Sequence, residues 1–212
     1  MARRVAPTRV AARWRSPRRG GDVCGTSMIE TLVTLALIGI VVQQAAPALV
    51  TWRQRQRVEA AGRHLALEIG RACWFAVASG RTHAVAFEPL ADDLRWALVA
   101  DGDGDGISAA DLDSGMDALV DRVKSLRARF PGVEAGRPPG APPVAGGARD
   151  RFGLAFGRTP AVSCSASGGA RSGTLYLRSS RGDGIALRVY GPTARLTLWW
   201  WDRAGRRWAA VR

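Results

Sequence analysis

From Thr31 to Trp52 the chain carries no charged residue, and this run limits what the rest can be. A helix of about 20 residues rises roughly 30 Å, the thickness of a bilayer's hydrocarbon core, so the segment is long enough to span a membrane. Glu30 stands at its entrance. A lone carboxylate in lipid costs roughly 2.5–3.5 kcal/mol even on lenient insertion scales. Its presence calls either for a cationic partner or for a shallow position from which the side chain reaches the interface. The order of features does not fit a secretory signal peptide, which ends in a small-residue cleavage site after its apolar region. Here the small residues Gly25 and Thr26 precede the run, and nothing apolar precedes Cys24 that would make a lipoprotein signal. Arginines at 53, 55 and 57 weaken the charge asymmetry across the span, but the basic leader places the N-terminus inside.

The formal charge of +13 points at first to nucleic acid or anionic lipid. Seven arginines lie before residue 25, however, with only Asp22 against them; the remainder has 24 basic and 17 acidic residues, or +7. Lys124 is the one lysine in an otherwise all-arginine basic set, a pattern of base composition more than of phosphate recognition. With 212 residues and 47% hydrophobic content the chain can bury one core beside the apolar run. Cys24, Cys73 and Cys164 have no metal-ligand spacing; without Cys24, Cys73 and Cys164 remain as the one candidate disulfide pair.

Gly25, Thr26 as a first mature residue, Glu30 as the fifth, about 20 apolar residues, and Pro47 as the twenty-second together resemble the type IV prepilin signature. Two details differ: the family usually begins its mature chain with phenylalanine, and its leader usually holds basic residues nearer the scissile glycine than Arg18 and Arg19 stand here. The resemblance implies cleavage after Gly25 by a prepilin peptidase on the cytoplasmic face and N-methylation of Thr26. It also implies assembly through an N-terminal helix in which Glu30 meets the charged amine of a neighbouring subunit. An ammonium in the same low-dielectric layer recovers much of the cost of the carboxylate.

Beyond Pro47, Val58, Ala61, Leu65, Ile69, Ala72 and Ala76 recur at spacings of three and four, predicting an amphipathic helix whose Arg57, Arg63, Glu68 and Arg71 face water. This stretch continues the span as one helix ending near Ser79 and Gly80, kinked at Pro47 and loosened at Gly62. His64 and His83 have no ligand partners at metal spacing, so solvated or capping roles are expected. Strands are expected at residues 82–87, 94–100, 117–123, 153–157, 174–178, 185–191 and 194–201, with a hairpin turn at "SRGDG". In the last of these, Leu196, Leu198 and Trp200 should face the core, while Thr197, Trp199 and Trp201 are partly exposed or at a subunit contact. A Pro/Gly-rich stretch at 134–150 reads as a surface loop within the domain.

Asp101, Asp103 and Asp105, followed by Gly106 and with Asp111 to close the set, match the start of an oxygen-ligand calcium loop. Position 12 of that loop is Leu112, not an acid, and a tight solvated turn after a strand is the preferred reading. The strand and Asp/Gly loop are also similar to a pattern in the GspH/FimT group of minor pilins and pseudopilins. That similarity runs from the helix stripe to the strands at 173–191 and 193–196, more loosely between 102 and 150.

No catalytic site is assigned: Ser163 and Ser165 flank Cys164 without a base or a strand elbow, and three aspartates in "GDGDG" would repel a phosphate. The expected architecture is α+β and pilin-like, a long N-terminal helix packed on an antiparallel sheet domain. Its parts are a cleaved leader (1–25), a transmembrane helix (26–52), an amphipathic continuation (53–80) and a β-rich periplasmic domain (81–212). The expected function is that of a structural subunit of a type II secretion pseudopilus or type IV pilus, anchored by a single span in the inner membrane. Its expected partners are the peptidase and sister subunits. The alternative is a minor pilin for DNA uptake, in which Arg203, Arg206, Arg207 and Arg212 beside Trp199, Trp200, Trp201 and Trp208 would bind phosphate and stack on bases. No cofactor is expected other than candidate calcium.

Overall fold

The computed structural model describes residues 27–144, 152–156 and 159–211. They form an α+β chain, one long N-terminal helix followed by antiparallel sheet. The helix, α1, runs Met28–Ser79 without a break at Pro47. The chain divides into two compact units between Ala45 and Ala46. In the first, no residue of the most apolar stretch of α1 is buried.

In the second unit the rest of α1 is followed by β1 (His83–Pro89), β2 (Leu94–Ala100), a short α2 (Ala109–Ser114), β3 (Ala118–Leu119) and β4 (Lys124–Ser125). Next come α3 (Leu126–Arg129), β5 (Val133–Ala135), β6 (Leu154–Ala155), β7 (Ala161–Cys164), β8 (Gly173–Ser179) and β9 (Gly184–Tyr190). A 3-10 turn at Gly191–Thr193 leads into β10 (Arg195–Asp202) and β11 (Arg207–Ala210). One sheet has the order β3-β2-β1-β7, with β4 also on β2; the other has the order β11-β10-β9-β8-β5, with β6 also on β8. Every pairing among these strands is antiparallel.

The apolar stripe of α1 organises this unit. Val58, Ala61, Leu65, Ile69, Ala72 and Ala76 are all fully buried, and the first five share one core with Val85, Trp96 and Leu98 of the first sheet and Leu175, Leu177, Ile185 and Leu187 of the second. At Gly62 the helix comes so close to the second sheet that a Cβ would lie 3.0 Å from Ile185 Cγ2. Glycine here allows close packing; it does not loosen the helix. α1 stops at Gly80, whose φ of +69° is left-handed and whose N–H donates to Ala76 O, a glycine C-cap.

The second sheet uses both faces. Cross-strand registers align Leu175, Leu187 and Leu198 in one row and Leu177, Ile185 and Trp200 in another, all turned to the main core. The alternate row, Tyr176, Ala186 and Trp199, lies on the opposite face and packs with Val144 and Trp208. Period-2 alternation thus makes two clusters from one set of strands. The first sheet is similarly double-sided: Ala84, Val99 and Ala161 pack outward against Ile107 and Leu112.

Several expectations need correction. The segment 117–123 is not one strand: only Ala118 and Leu119 pair with β2, and the chain then turns so that Lys124 and Ser125 pair further along the same strand. The Pro/Gly-rich stretch begins as strand β5 on β8, because Val133, Glu134 and Ala135 supply ladder partners before the prolines remove donors. Beyond the expected strands, the tail after β10 folds back, and Arg207–Ala210 returns as β11. Trp201, expected to be partly exposed, is 4% exposed because that return brings Trp208 to 5.3 Å between ring centroids.

Glu68 does not face water. It is 8% exposed and accepts Lys124 Nζ at 2.7 Å; Lys124 also reaches Asp121 Oδ2 at 2.8 Å, to which Arg71 donates at 2.9 Å. The single lysine of the chain therefore neutralises a buried helix carboxylate. Hydrogen bonds from Lys124, from the Arg122 N–H and from Arg71 hold the Asp121 carboxyl far below the usual range. His64, expected to be solvated or capping, is wedged against Trp96 and Phe130 at 5.9 and 5.7 Å. Burial, then the positive charge of Arg129, pushes its pKa down despite Glu68 Oε1 at 3.4 Å from Nε2. His83 is buried at the end of α1, with Nδ1 3.2 Å from Arg81 O.

Lys124→Ala should lower stability by roughly 1–3 kcal/mol, less than the 3–5 typical of a fully buried pair because Asp121 keeps water contact. The urea midpoint of the detergent-solubilised protein reads this directly, and an unchanged midpoint would refute the network's structural role.

Candidate functional site

Three groups of residues singled out by sequence are placed by distinct local causes. The first is the start of α1. Glu30 lies in its first turn and is exposed; there a carboxylate gains about 0.3–1 kcal/mol from the unsatisfied N–H groups of the helix end. No cation among the described residues stands at ion-pair distance from it. Further along, Thr31 and Thr34 turn their hydroxyls back onto Met28 O and Thr31 O, and Thr51 onto Pro47 O. These hydroxyls are satisfied within the helix, as an apolar solvent requires. Leu32, Val33, Leu35, Leu37, Ile38, Ile40, Val41 and Val42 are all exposed. This helix is long and apolar enough to cross a membrane. Gly25 and Thr26, the residues of the proposed cleavage and methylation, lie outside the described residues.

The second group is the loop after β2. Asp101, Asp103 and Asp105 bring one carboxylate oxygen each within 4.8 Å of one another. Asp101 is buried and its two oxygens accept the N–H groups of Gly104 and Gly106 at 2.6 and 3.1 Å. The Asp103 carboxylate accepts the Asp105 N–H at 3.4 Å. Asp111, grouped with these three by spacing, is not in the cluster; it serves α2, where Ser108 Oγ donates to its Oδ2 at 2.5 Å and the Asp111 N–H donates back to Ser108 Oγ. This is an N-cap that starts a helix at Ala109, and Gly115 at φ +79° ends it. Leu112 stands where a calcium loop would carry its last acid and packs on the first sheet instead. Spacing alone does not reveal Asp117. It is 3% exposed, and its Oδ1 accepts the Gly102 N–H at 3.3 Å while Oδ2 has no hydrogen-bond partner.

The third group is the C-terminal hairpin. Its arginines and tryptophans separate. Arg203 donates to Arg181 O, Arg207 Nε lies 3.8 Å from Asp202 Oδ2, and Arg206 holds the turn at φ +47°. The rings face elsewhere: Trp208 Nε1 donates to Pro142 O at 2.7 Å, and Arg55 covers Trp200 at 4.5 Å from its centroid. Arg212 lies outside the described residues. Cys73 and Cys164, meanwhile, form a disulfide between α1 and β7 across 91 residues. Closing so long a loop is worth roughly 4–5 kcal/mol in the chain-entropy model, and such a bond persists in an oxidising compartment. Ser163 and Ser165 flank this buried half-cystine.

Compared with protein-family models, curated proteins and solved structures, the chain matches none of them.

Because Trp201 packs inside the hairpin, Trp201→Ala should cost about 3–5 kcal/mol of stability, whereas Arg206→Ala at the turn should change it by less than about 0.5. Thermal melts of the two variants test this; equal effects would mean that the ring is not a core group.

Proposed function

We propose that this protein is a non-catalytic structural subunit of a type IV pilus or type II secretion pseudopilus, with a pilin-like fold of the GspH/FimT kind. The observation that carries this reading is the division of α1. Its first half presents apolar side chains on every side with no protein cover, and its second half is a stripe buried in a sheet core. A helix bare over roughly 20 residues needs lipid or other helices around it. Glu30 at its start has no ion-pair partner among the described residues and is open to a positive group from another chain. The methylated amine of Thr26 on a sister subunit is that group in this proposal.

The Cys73–Cys164 disulfide supports placing the sheet unit on the periplasmic side of the inner membrane, since such bonds do not persist in a reducing cytosol. Cleavage after Gly25 by a prepilin peptidase then precedes assembly. The alternative reading, DNA uptake, keeps its electrostatic half in the arginines of the C-terminal hairpin. Its stacking half is weakened, because packing and the Arg55 contact engage the rings of Trp200, Trp201 and Trp208.

Intact-mass measurement of the membrane-extracted protein tests the processing step. The expected species begins at Thr26 and carries one added methyl group; a chain that retains residues 1–25 contradicts the proposal.

A further inference from the structure

The loop at Asp101–Asp105 has a chemistry that the assembly reading does not use. Between residues 101 and 117 the chain places six aspartates and no basic residue, in a protein whose overall charge is +13. Among the described residues, none of the carboxylates of Asp101, Asp103, Asp105, Asp111 and Asp117 takes part in an ion pair. Charges of one sign brought this close repel one another, and although Arg81 borders the same cleft, no basic side chain among the described residues pairs with them to offset that repulsion.

Two independent observations point to what does. The first is distance. Oxygens from Asp101, Asp103 and Asp105 all lie within 4.8 Å of one another. Calcium binds oxygen at about 2.3–2.6 Å, so ligands on opposite sides of one ion are about 4.6–5.2 Å apart, and all three carboxylates fit one coordination sphere. Magnesium, at about 2.0–2.1 Å, demands near-ideal octahedral geometry and dehydrates reluctantly, which suits such a carboxylate loop less well. The second is Asp117. It is 97% buried by its 3% exposure, its Oδ1 is held by the N–H of Gly102 between the first two aspartates, and its Oδ2 has no partner. The carboxylate head is thus turned onto the loop. A buried carboxylate oxygen with no hydrogen-bond donor is costly, and a cation beside it would remove that cost. The approach is close: a Cβ at Gly102 would lie 2.0 Å from Met116 O, so only glycine fits where the loop meets the chain entering Asp117.

We propose that this loop is a calcium site, with Asp101, Asp103 and Asp105 as carboxylate ligands and Asp117 as a buried positioning residue that adds negative charge behind them. The ligand set differs from the one that spacing suggests. Asp111 is committed to the cap of α2, and Asp117, twelve residues beyond Asp105, supplies the fourth charge from the entry to β3. The mouth beside the loop is a cleft of about 290 Å³ bordered by Gly80, Arg81, Thr82 and Ala166, which gives an ion and its remaining waters access from solvent. Bound calcium would tie the end of β2 to the entry of β3 and stabilise the outer side of the first sheet.

Isothermal titration calorimetry on the full-length protein in detergent, stripped with chelator and titrated with calcium chloride, tests the site. One ion is expected to bind per chain, with a Kd on the order of 10⁻⁴ to 10⁻³ M, as in extracellular modules, and magnesium should bind more weakly. Asp103→Asn, at an exposed position whose loss does not endanger the fold, should abolish the binding, and Asp113→Asn on the exposed side of α2 should leave it unchanged. Asp117→Asn should weaken it at least tenfold. No saturable binding by the parent, or binding that survives Asp103→Asn, overturns the site; binding lost with Asp103 but unaltered by Asp117→Asn overturns the part assigned to Asp117.

Discussion

One helix lives in two environments, and the rest of the structure depends on that division. Over Val58–Ala76, small and branched side chains at helical spacing are enclosed by two sheets, and Gly62 lets the backbone approach Ile185. Over Leu32–Val42 the same helix has no such stripe, because every face is apolar and none is covered. The first arrangement is a protein core; the second is a surface that water does not tolerate over such a length. The change falls between Trp52, still 57% exposed, and Val58, the first buried residue of the helix, downstream of Pro47, where the helix lacks one backbone donor.

Around the buried half, the charged groups are used sparingly and in concert. Lys124 offsets Glu68 inside the helix–sheet contact and shares Asp121 with Arg71, so one exposed turn fixes the beginning of β4 against α1. The disulfide does the same at the other end of the stripe, joining Cys73 to β7. With Gly80 ending the helix, these contacts leave β1 and β2 free to emerge directly beside it and carry the Asp/Gly loop at the end of β2. The loop's position is therefore set by the same core that holds α1.

Much of this was legible from residue order. The stripe on α1, its end at Ser79, and the strands around 94–100, 174–178 and 185–191 follow from periodicities of 3.6 and 2, and they form as expected. What was not legible depends on partners distant in sequence. Glu68 looks like a surface acid until Lys124 arrives from 56 residues away. Trp201 looks half-exposed until β11 folds back with Trp208. β5 hides in a proline-rich stretch because three residues suffice to pair with β8. Asp111 leaves the loop because a serine N-cap, a local competitor for the carboxylate, outweighs the spacing rule that grouped it there, while Asp117 is buried against the loop through the Gly102 N–H. Burial and capping, which spacing cannot report, decide each of these cases.

The central claim is electrostatic: Glu30 is tolerated at the head of an uncovered apolar helix because a cationic chain end of another subunit comes to meet it. The most direct measurement compares recovery of the parent, Glu30→Asp and Glu30→Gln proteins in a sheared or pelleted filament fraction, at matched amounts in the membrane. The account predicts that Glu30→Gln reaches the membrane normally but is depleted from the filament by tenfold or more, with Glu30→Asp between the two. Equal recovery of Glu30→Gln and the parent would contradict it.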